Sequence, residues 1–371
     1  MFSLSRLLAI GTLLAAIGGC QGLPPAAPPT VAEGDYVAVI DYLARRIPYD
    51  MNALDVPGLS IAIVDDQRVV WSTGFGYADP ERHRGASADT LYRVGAISKL
   101  LTAASVLHAA DAGRLPLDQP AAQALPDWEI QPRRNAMQWL GADPFTARRL
   151  LAVHPAAPED TMGRARADMA YALLGDMVAS RAGEPFDAYV RRAILQPLNM
   201  PRAGFVPGPR MLELRASGHR RGEPWTETPQ ANEAADGLWL SASEMARFFR
   251  MLFADGAYEG RRVLSSPSAR AVLDLETAAG GLGLECRLAL SWLARPCEEP
   301  LGDASLRLHS GATEAFHSRL VLAPDEKLAV LVMSNSDTGE ALVASVSSMA
   351  MALMRQAKPP IAQPRFPETL P

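Results

Sequence analysis

The sequence predicts an α/β (α+β) fold in which one mixed antiparallel sheet is flanked by helices and carries a helical lobe. Segments with strand character occur near both ends of the chain, over 58–75 and 306–333, whereas helical periodicity dominates the residues between them. An apolar strand face needs a partner layer to bury it, so strands from the two ends should meet in one sheet. A cleft between the lobes is the natural place for a ligand.

The N-terminal part alternates a helix, a hairpin and a second helix. Residues 35–46 carry apolar side chains at helical spacing. Two apolar runs, 58–64 and 69–75, are separated by a short polar segment, which predicts a β-hairpin. The next helix is predicted over 96–112 and ends at Gly113, a residue typical of helix C-termini.

Four more helices and three late strands complete the predicted chain. Ser241 or Ser243 is the N-cap of one of these helices, with Glu244 in its first turn. The helices are predicted over 169–182, 185–195, 241–253 and 340–355, and the strands over 306–309, 316–322 and 328–333.

The first twenty residues are typical of an export signal. Arg6 precedes an apolar run, 7–17, that is short for a membrane span, and the run closes on Ile17-Gly-Gly-Cys20. This ending is similar to a bacterial lipoprotein box, in which Cys20 becomes the acylated N-terminus; a plain cleaved signal with a coincidental cysteine is the alternative. We expect a lipoprotein on the periplasmic side of a bacterial cell envelope, and Gln21 favours the outer membrane.

The expected domain organisation follows from these signals and from proline content. It comprises a lipoprotein signal peptide over 1–20, a Pro-rich tether over 21–34, a main domain over 35–356 and a Pro-rich tail over 357–371. Within the main domain, residues 35–112 and 206–356 are expected to form the sheet lobe and 113–205 the helical lobe.

Composition excludes several classes of function. The net charge is −5, so the chain lacks the basic surplus of nucleic-acid binders. The six histidines show no metal-ligand spacing, and neither a phosphate loop nor a dinucleotide motif is present, so no metal and no cofactor is predicted. Cys286 and Cys297 would lie on a hairpin in an oxidising compartment, which favours a disulfide, with two free thiols as the alternative.

The segment Ala96-Ile-Ser-Lys99 carries the first motif of interest. It resembles the Ser-x-x-Lys motif of serine β-lactamases and penicillin-binding proteins, in which the serine is the nucleophile and the lysine a base. Here alanine occupies the serine position. Ser98 is not a replacement, because it lies about 100° around the helix from Lys99. The sequence therefore resembles a serine hydrolase whose nucleophile is missing.

The second motif of the family, Tyr-x-Asn, is placed by the helix that contains Tyr171-Ala-Leu-Leu-Gly175. Counting back from Tyr171, the motif falls on Arg166-Ala-Asp168. Arginine cannot accept a proton at physiological pH, so the second base is also missing. If both side chains point into the cleft, Asp168 neutralises Lys99 or Arg166; the alternative is that Arg166 turns to solvent.

The third motif, His309-Ser310-Gly311, matches the Lys/His-Thr/Ser-Gly strand of the same family. The resemblance implies that Ser310 binds a ligand carboxylate and that a backbone N–H near Ala312 faces the developing oxyanion. An edge strand with a polar tip is the alternative interpretation. Segments in the family's order cover about residues 55–350, so the resemblance is to the class C β-lactamase and D-alanyl-D-alanine carboxypeptidase group and implies a β-lactamase/transpeptidase-like fold.

These motifs predict an exported, catalytically inactive homologue that binds a cell-envelope ligand, a peptidoglycan peptide or an envelope protein. Lys99 and His309 would be retained but vestigial, and the ligand site would include Ala96, Arg166, Asp168 and the strand at 310–312. The alternative is an active β-lactamase, peptidase or esterase with a non-standard nucleophile. An alanine engineered at position 96 is a third interpretation, which the change at position 166 disfavours.

Overall fold

A computed structural model describes residues 23–26, 30–125, 146–153, 161–226, 233–273, 288–289, 292–294 and 305–359. An eight-stranded sheet forms the centre of this part of the chain. All neighbouring strands in it pair antiparallel, and strands from the C-terminal third lie beside strands from the N-terminal third. Its strands, in spatial order, are β10 (Leu288–Ala289), β11 (Trp292–Ala294), β12 (Arg307–Ala312), β13 (His317–Ala323), β14 (Leu328–Ser334), β1 (Gly58–Asp65), β2 (Arg68–Asp79) and β3 (Arg84–Gly85).

The central strands are mostly apolar because helices cover both faces of the sheet. β14 is buried at all seven positions and pairs with β1 from Leu59↔Ser334 to Asp65↔Leu328. In β1, Leu59, Ile61 and Ile63 enter one core, whereas Ala62 and Val64 enter the other. A continuous apolar run is typical of a strand that is buried on both sides.

Two layers of helices enclose the sheet. One face is covered by the N-terminal and C-terminal helices, and the other by the helices from the middle of the chain. The helices are α1 (Tyr36–Ala53), α2 (Ser98–Asp111), α3 (Ala121–Ala124), α4 (Ala147–Leu151), α5 (Thr161–Ala182), α6 (Phe186–Val190), α7 (Pro209–Leu214), α8 (Glu233–Asp236), α9 (Ala242–Phe253), α10 (Ser266–Leu273) and α11 (Gly339–Ala357). A 3₁₀ turn, Gly95–Ile97, leads into α2, and a π turn, Arg191–Leu195, continues α6.

Within the described residues, three two-stranded sheets lie outside the main one. Their pairs are β4 (Tyr92–Arg93) with β7 (Trp239–Leu240), β5 (Gly218–Arg220) with β6 (Glu223–Trp225), and β8 (Ala257–Tyr258) with β9 (Arg261–Arg262). The pairing of β4 with β7 brings the segment before α2 next to the segment after α8. This contact assembles part of the site described below.

Local signals in the sequence explain the helix starts. Ser241 caps α9 by accepting a hydrogen bond from Glu244 N at 3.3 Å. Asp35 does the same for α1, from Ala38 N at 3.0 Å. Side chains such as these satisfy the donors that the first turn of a helix leaves open.

The structure differs from the sequence prediction at several helix boundaries. The first helix, predicted over 35–46, continues to Ala53. The helix predicted over 169–182 begins at Thr161, because residues 164–168 are mostly alanine and arginine, which favour helix. The closing helix reaches Ala357, one residue into the expected tail.

Several predicted features lie outside the described residues. Among them are Cys20 with the export signal, and Cys286 and Cys297. Of the hairpin expected around the two late cysteines, the described part is the antiparallel pair β10–β11. No helix in the part of the chain that the structure describes is long and apolar enough to cross a membrane.

Candidate active site

The turn that carries Ala96 lies directly against β12. A Cβ atom on Gly311 would lie 1.9 Å from Val94 O, so the strand's backbone touches the segment that leads into the turn. Gly95 has a φ of +53°, and a Cβ there would lie 2.8 Å from Ala312 N. Only glycine permits both the close approach and the left-handed backbone. These contacts bring positions 96 and 310–312 together, as the motifs predict.

A shared hydrogen-bond pattern fixes this junction. Ser318 Oγ, on β13, lies 3.0 Å from Val94 O and 3.3 Å from Gly311 O. On the other side, Val94 N donates to Leu238 O at 3.1 Å. The turn is therefore held between the sheet and the segment that follows α8.

The side chains at the junction are an alanine and a strand with alternating exposure. Ala96 is partly exposed and carries no nucleophilic atom. In β12, Ser310 and Ala312 are exposed, whereas His309 is buried. The Nδ1 atom of His309 lies 3.1 Å from the Ser310 carbonyl oxygen and donates to it, because that oxygen can only accept. Ser310 is thus the accessible hydroxyl of the third motif.

Ser98 has a structural role in the turn. Its Oγ donates to Gly95 O at 2.6 Å and accepts from Leu238 N at 3.0 Å, and the residue is fully buried. Both contacts would have to break before this hydroxyl could attack a ligand. The structure therefore agrees with the expectation from helix geometry that Ser98 faces away from the ligand position.

Lys99 forms an ion pair with Asp168. The ammonium Nζ donates to Asp168 Oδ1 at 2.6 Å and to Ala235 O at 3.4 Å, and it lies 6.0 Å from the centroid of the Tyr171 ring. The Lys99 side chain is 8% exposed and that of Asp168 is 35% exposed. The lysine of the first motif therefore forms its ion pair with the aspartate of the second.

Arg166 and Asp168 leave α5 in different directions. Residues two positions apart on an α-helix lie about 200° apart around its axis. Asp168 faces Lys99, and Arg166 is exposed. The structure thus combines features of both interpretations of the second motif: Asp168 pairs with Lys99, and Arg166 is exposed. A role for Arg166 in ligand binding stays a prediction.

Asp236 is the site residue that the motifs missed. It ends α8, next to the carbonyl that accepts from Lys99. Burial raises the pKa of Asp236 and the charge of Asp168 raises it further, whereas the charges of Arg93 and Lys99 lower it. A carboxylate directly before the Gly-Leu-Trp segment was the available signal, but only the contact between α8 and α2 reveals its surroundings.

The site contains acids and one lysine but no arrangement for a metal. Within the described ranges, no group of three or more His, Cys, Asp or Glu side chains is positioned to hold a metal ion. The assembled groups are an ion pair, a second carboxylate and an accessible strand hydroxyl. They can bind a polar ligand, but Ala96 supplies no atom that could form an acyl-enzyme.

Comparison with known proteins assigns the chain to a family. The family model described as "Beta-lactamase" matches residues 43–347. A β-lactamase from Pseudomonas fluorescens is 22% identical over 330 residues, which are 77% of this chain and 90% of that protein. Protein flp from Staphylococcus aureus (strain NCTC 8325 / PS 47) is 23% identical over 325 residues, 78% of this chain but 61% of its own length. The chain thus spans about three-fifths of flp.

Solved structures share the fold. A class C β-lactamase from Rhodobacter sphaeroides has a TM-score of 0.66 at 18% identity, with 86% of this chain and 99% of that chain covered. An octameric penicillin-binding protein homologue from Pyrococcus abyssi has a TM-score of 0.67 at 22% identity, with 86% and 78% covered. The predicted β-lactamase/transpeptidase-like fold is confirmed. Since the family model spans well over half of the sequence, the chain belongs to the β-lactamase family.

Proposed function

We propose that this β-lactamase family member forms no acyl-enzyme and uses its cleft to bind a ligand of the bacterial cell envelope. The observation that carries the proposal is the state of the first motif: Ala96 replaces the nucleophile and Lys99 is bound to Asp168 at 2.6 Å. A lysine base must lose its proton to activate a serine. Position 96 has no hydroxyl to activate and the Lys99 side chain is engaged by a carboxylate, so neither half of the acylation machinery is available.

For the alternative, an active hydrolase with another nucleophile, we find no suitable serine hydroxyl near Lys99 among the residues that the structure describes. Ser98 is buried and its oxygen is engaged in two hydrogen bonds. Ser310 is exposed but lies on the strand, not on the helix that presents the lysine. We therefore favour binding without covalent chemistry.

The ligand we propose is a peptide with a terminal carboxylate, as in peptidoglycan, with an envelope protein as the other candidate. Ser310 offers an accessible hydroxyl, and position 96 lies at the N-terminal end of the 14-residue helix α2, where the helix dipole favours negative charge. Calorimetry with a peptide ending in D-alanyl-D-alanine tests this. Ser310→Ala should weaken binding about tenfold, as expected for a lost hydrogen bond to a charged group. Ser345→Ala removes an exposed hydroxyl from α11, on the far face of the sheet, and should leave binding unchanged. Equal loss in both variants, or no binding by the unaltered protein, would leave a protein partner as the remaining candidate.

We also propose that Cys20 is acylated and anchors the protein on the periplasmic side of the outer membrane. A thioether-linked lipid together with an amide-linked chain exceeds the single chain that gives only marginal membrane binding. Cell fractionation tests this separately from ligand binding. The unaltered protein should sediment with membranes and Cys20→Ala should not, whereas recovery of both in the soluble periplasmic fraction would refute the anchor.

A further inference from the structure

Asp236 is held beside Lys99 by the way α8 docks on α2. Lys99 Nζ donates to Ala235 O at 3.4 Å, and Thr102 Oγ1, one helical turn later, donates to Ala234 O at 2.6 Å. These bonds tie the last carbonyls of α8 to α2. Asp236 is the next residue, and its carboxylate is close enough to the ammonium for the two charges to interact.

Asp236 has an acceptor that the structure leaves open. Its Oδ1 is buried, and none of the described residues donates a hydrogen bond to it. The charged groups that face it are Asp168 from α5, Arg93 from β4 and Lys99 from α2. A buried acceptor without a donor costs free energy, so this oxygen would gain from any donor that reaches it.

Lys99 can supply that donor. An ammonium has three N–H groups on a flexible stem, and the described contacts use two of them, to Asp168 and to Ala235 O. We propose that Asp236 is a reserve counter-ion that binds the Lys99 ammonium when Asp168 is removed or occupied by a ligand. A buried ammonium that loses one anion is strongly destabilised unless another anion is close.

The consequence is one more obstacle to acylation, beyond Ala96, Arg166 and the Lys99–Asp168 pair. Changing Asp168 to the family's asparagine would not free the lysine side chain, because Asp236 would bind it instead. This consequence rests on the proposed loss of acylation, whereas the exchange of partners does not. Asp236 thus acts through Lys99 as a positioning residue.

Nitrogen NMR of the lysine ammonium groups tests the exchange of partners directly. The chain has three lysines, so ¹⁵N-lysine labelling gives three signals, and Lys99→Met assigns one. We expect Asp168→Asn to keep the Lys99 ammonium protected from solvent exchange within about threefold. Adding Asp236→Asn should speed exchange at least tenfold. The signals of Lys327 and Lys358 report whether each variant is folded.

A matched control and a second readout keep the test decisive. Glu233→Gln removes an exposed carboxylate from the same short helix and should change nothing. In the Asp168→Asn background, adding Lys99→Met should raise the pKa of Asp236, because an opposite charge is lost. Full loss of protection in Asp168→Asn alone, or an unchanged pKa of Asp236, would overturn the proposal.

Rates of covalent labelling by a fluorophosphonate separate this proposal from the proposed function. The triple variant Ala96→Ser/Arg166→Tyr/Asp168→Asn restores the family motifs, and we expect Asp236→Asn to speed its labelling by a fluorophosphonate at least tenfold. Equal labelling with and without Asp236→Asn would contradict a reserve counter-ion. An adduct on the unaltered protein would instead refute the proposed function and leave the NMR result standing.

Discussion

Removing both partners of the Lys99–Asp168 pair should show that they stabilise each other across two helices. The perturbation is a double-mutant cycle of Lys99→Met, Asp168→Asn and the double variant. Methionine keeps the length of the lysine stem and removes its charge, and asparagine keeps the shape of the carboxylate. The cycle isolates the coupling between the two groups from the separate cost of each change.

The magnitude follows from distance and exposure. Two unit charges at the observed 2.6 Å attract by about 6 kcal/mol at an effective dielectric constant of 20. Desolvation of the lysine, 8% exposed, offsets much of this, and the aspartate, 35% exposed, is screened by solvent. The burial of this pair is intermediate between that of a surface ion pair and that of a buried one. We therefore expect a coupling free energy of about 1 kcal/mol. With Asp236→Asn in every variant, the coupling should rise to about 2–3 kcal/mol, because no reserve anion remains.

Urea unfolding followed by circular dichroism provides the free energies. The slope of each transition should be the same in all variants, so that differences report stability rather than compactness. Coupling below about 0.5 kcal/mol in both backgrounds, the limit within which independent sites add, would refute an ion pair that matters in solution.

Three further predictions concern the cleft and its surroundings. Gly311→Ala should destabilise the protein by about 1–3 kcal/mol or more in urea, because the added methyl would overlap a backbone carbonyl at 1.9 Å, whereas Gly85→Ala, whose nearest neighbour is at 3.9 Å, should be near neutral. Burial lowers the pKa of His317, so the unfolded chain binds a proton at this residue at higher pH than the folded chain does. The free energy of unfolding should therefore fall as the pH drops below about 6.5, and its pH dependence should be weaker in His317→Gln. An unchanged pH profile in that variant would contradict this. Ala96→Ser alone should hydrolyse neither β-lactams nor p-nitrophenyl esters at a measurable rate, because Lys99 is engaged by Asp168 and Arg166 replaces the second base. Robust turnover would contradict this.

The regular elements could be predicted because each has a local signal. Strands β1 and β14 are runs of branched apolar residues, and α9 begins at a serine followed three positions later by a glutamate. The long helix α5 was predicted eight residues short at its start. The order of motifs in the family places the second motif before that helix, whereas the residues at that position favour helix by their own propensity.

The site could be predicted in part, since motifs fix residue types but not charge networks. The sequence left Asp168 with two cations to neutralise, and the fold selects Lys99 because Arg166 leaves the same helix on another side. The position of Asp236 depends on hydrogen bonds from α2 to the carbonyls of α8, which join residues more than 130 positions apart. No local pattern encodes such a contact.

The most direct test of the account is the intact mass of the unaltered protein after incubation with a β-lactam and, separately, with a fluorophosphonate. Both reagents report a serine that is activated for acyl transfer. If the protein forms no acyl-enzyme, the mass should stay unmodified in each case, because position 96 has no hydroxyl and the Ser98 hydroxyl is hydrogen-bonded within the turn. A stoichiometric adduct, located by peptide mapping on Ser98 or Ser310, would contradict it.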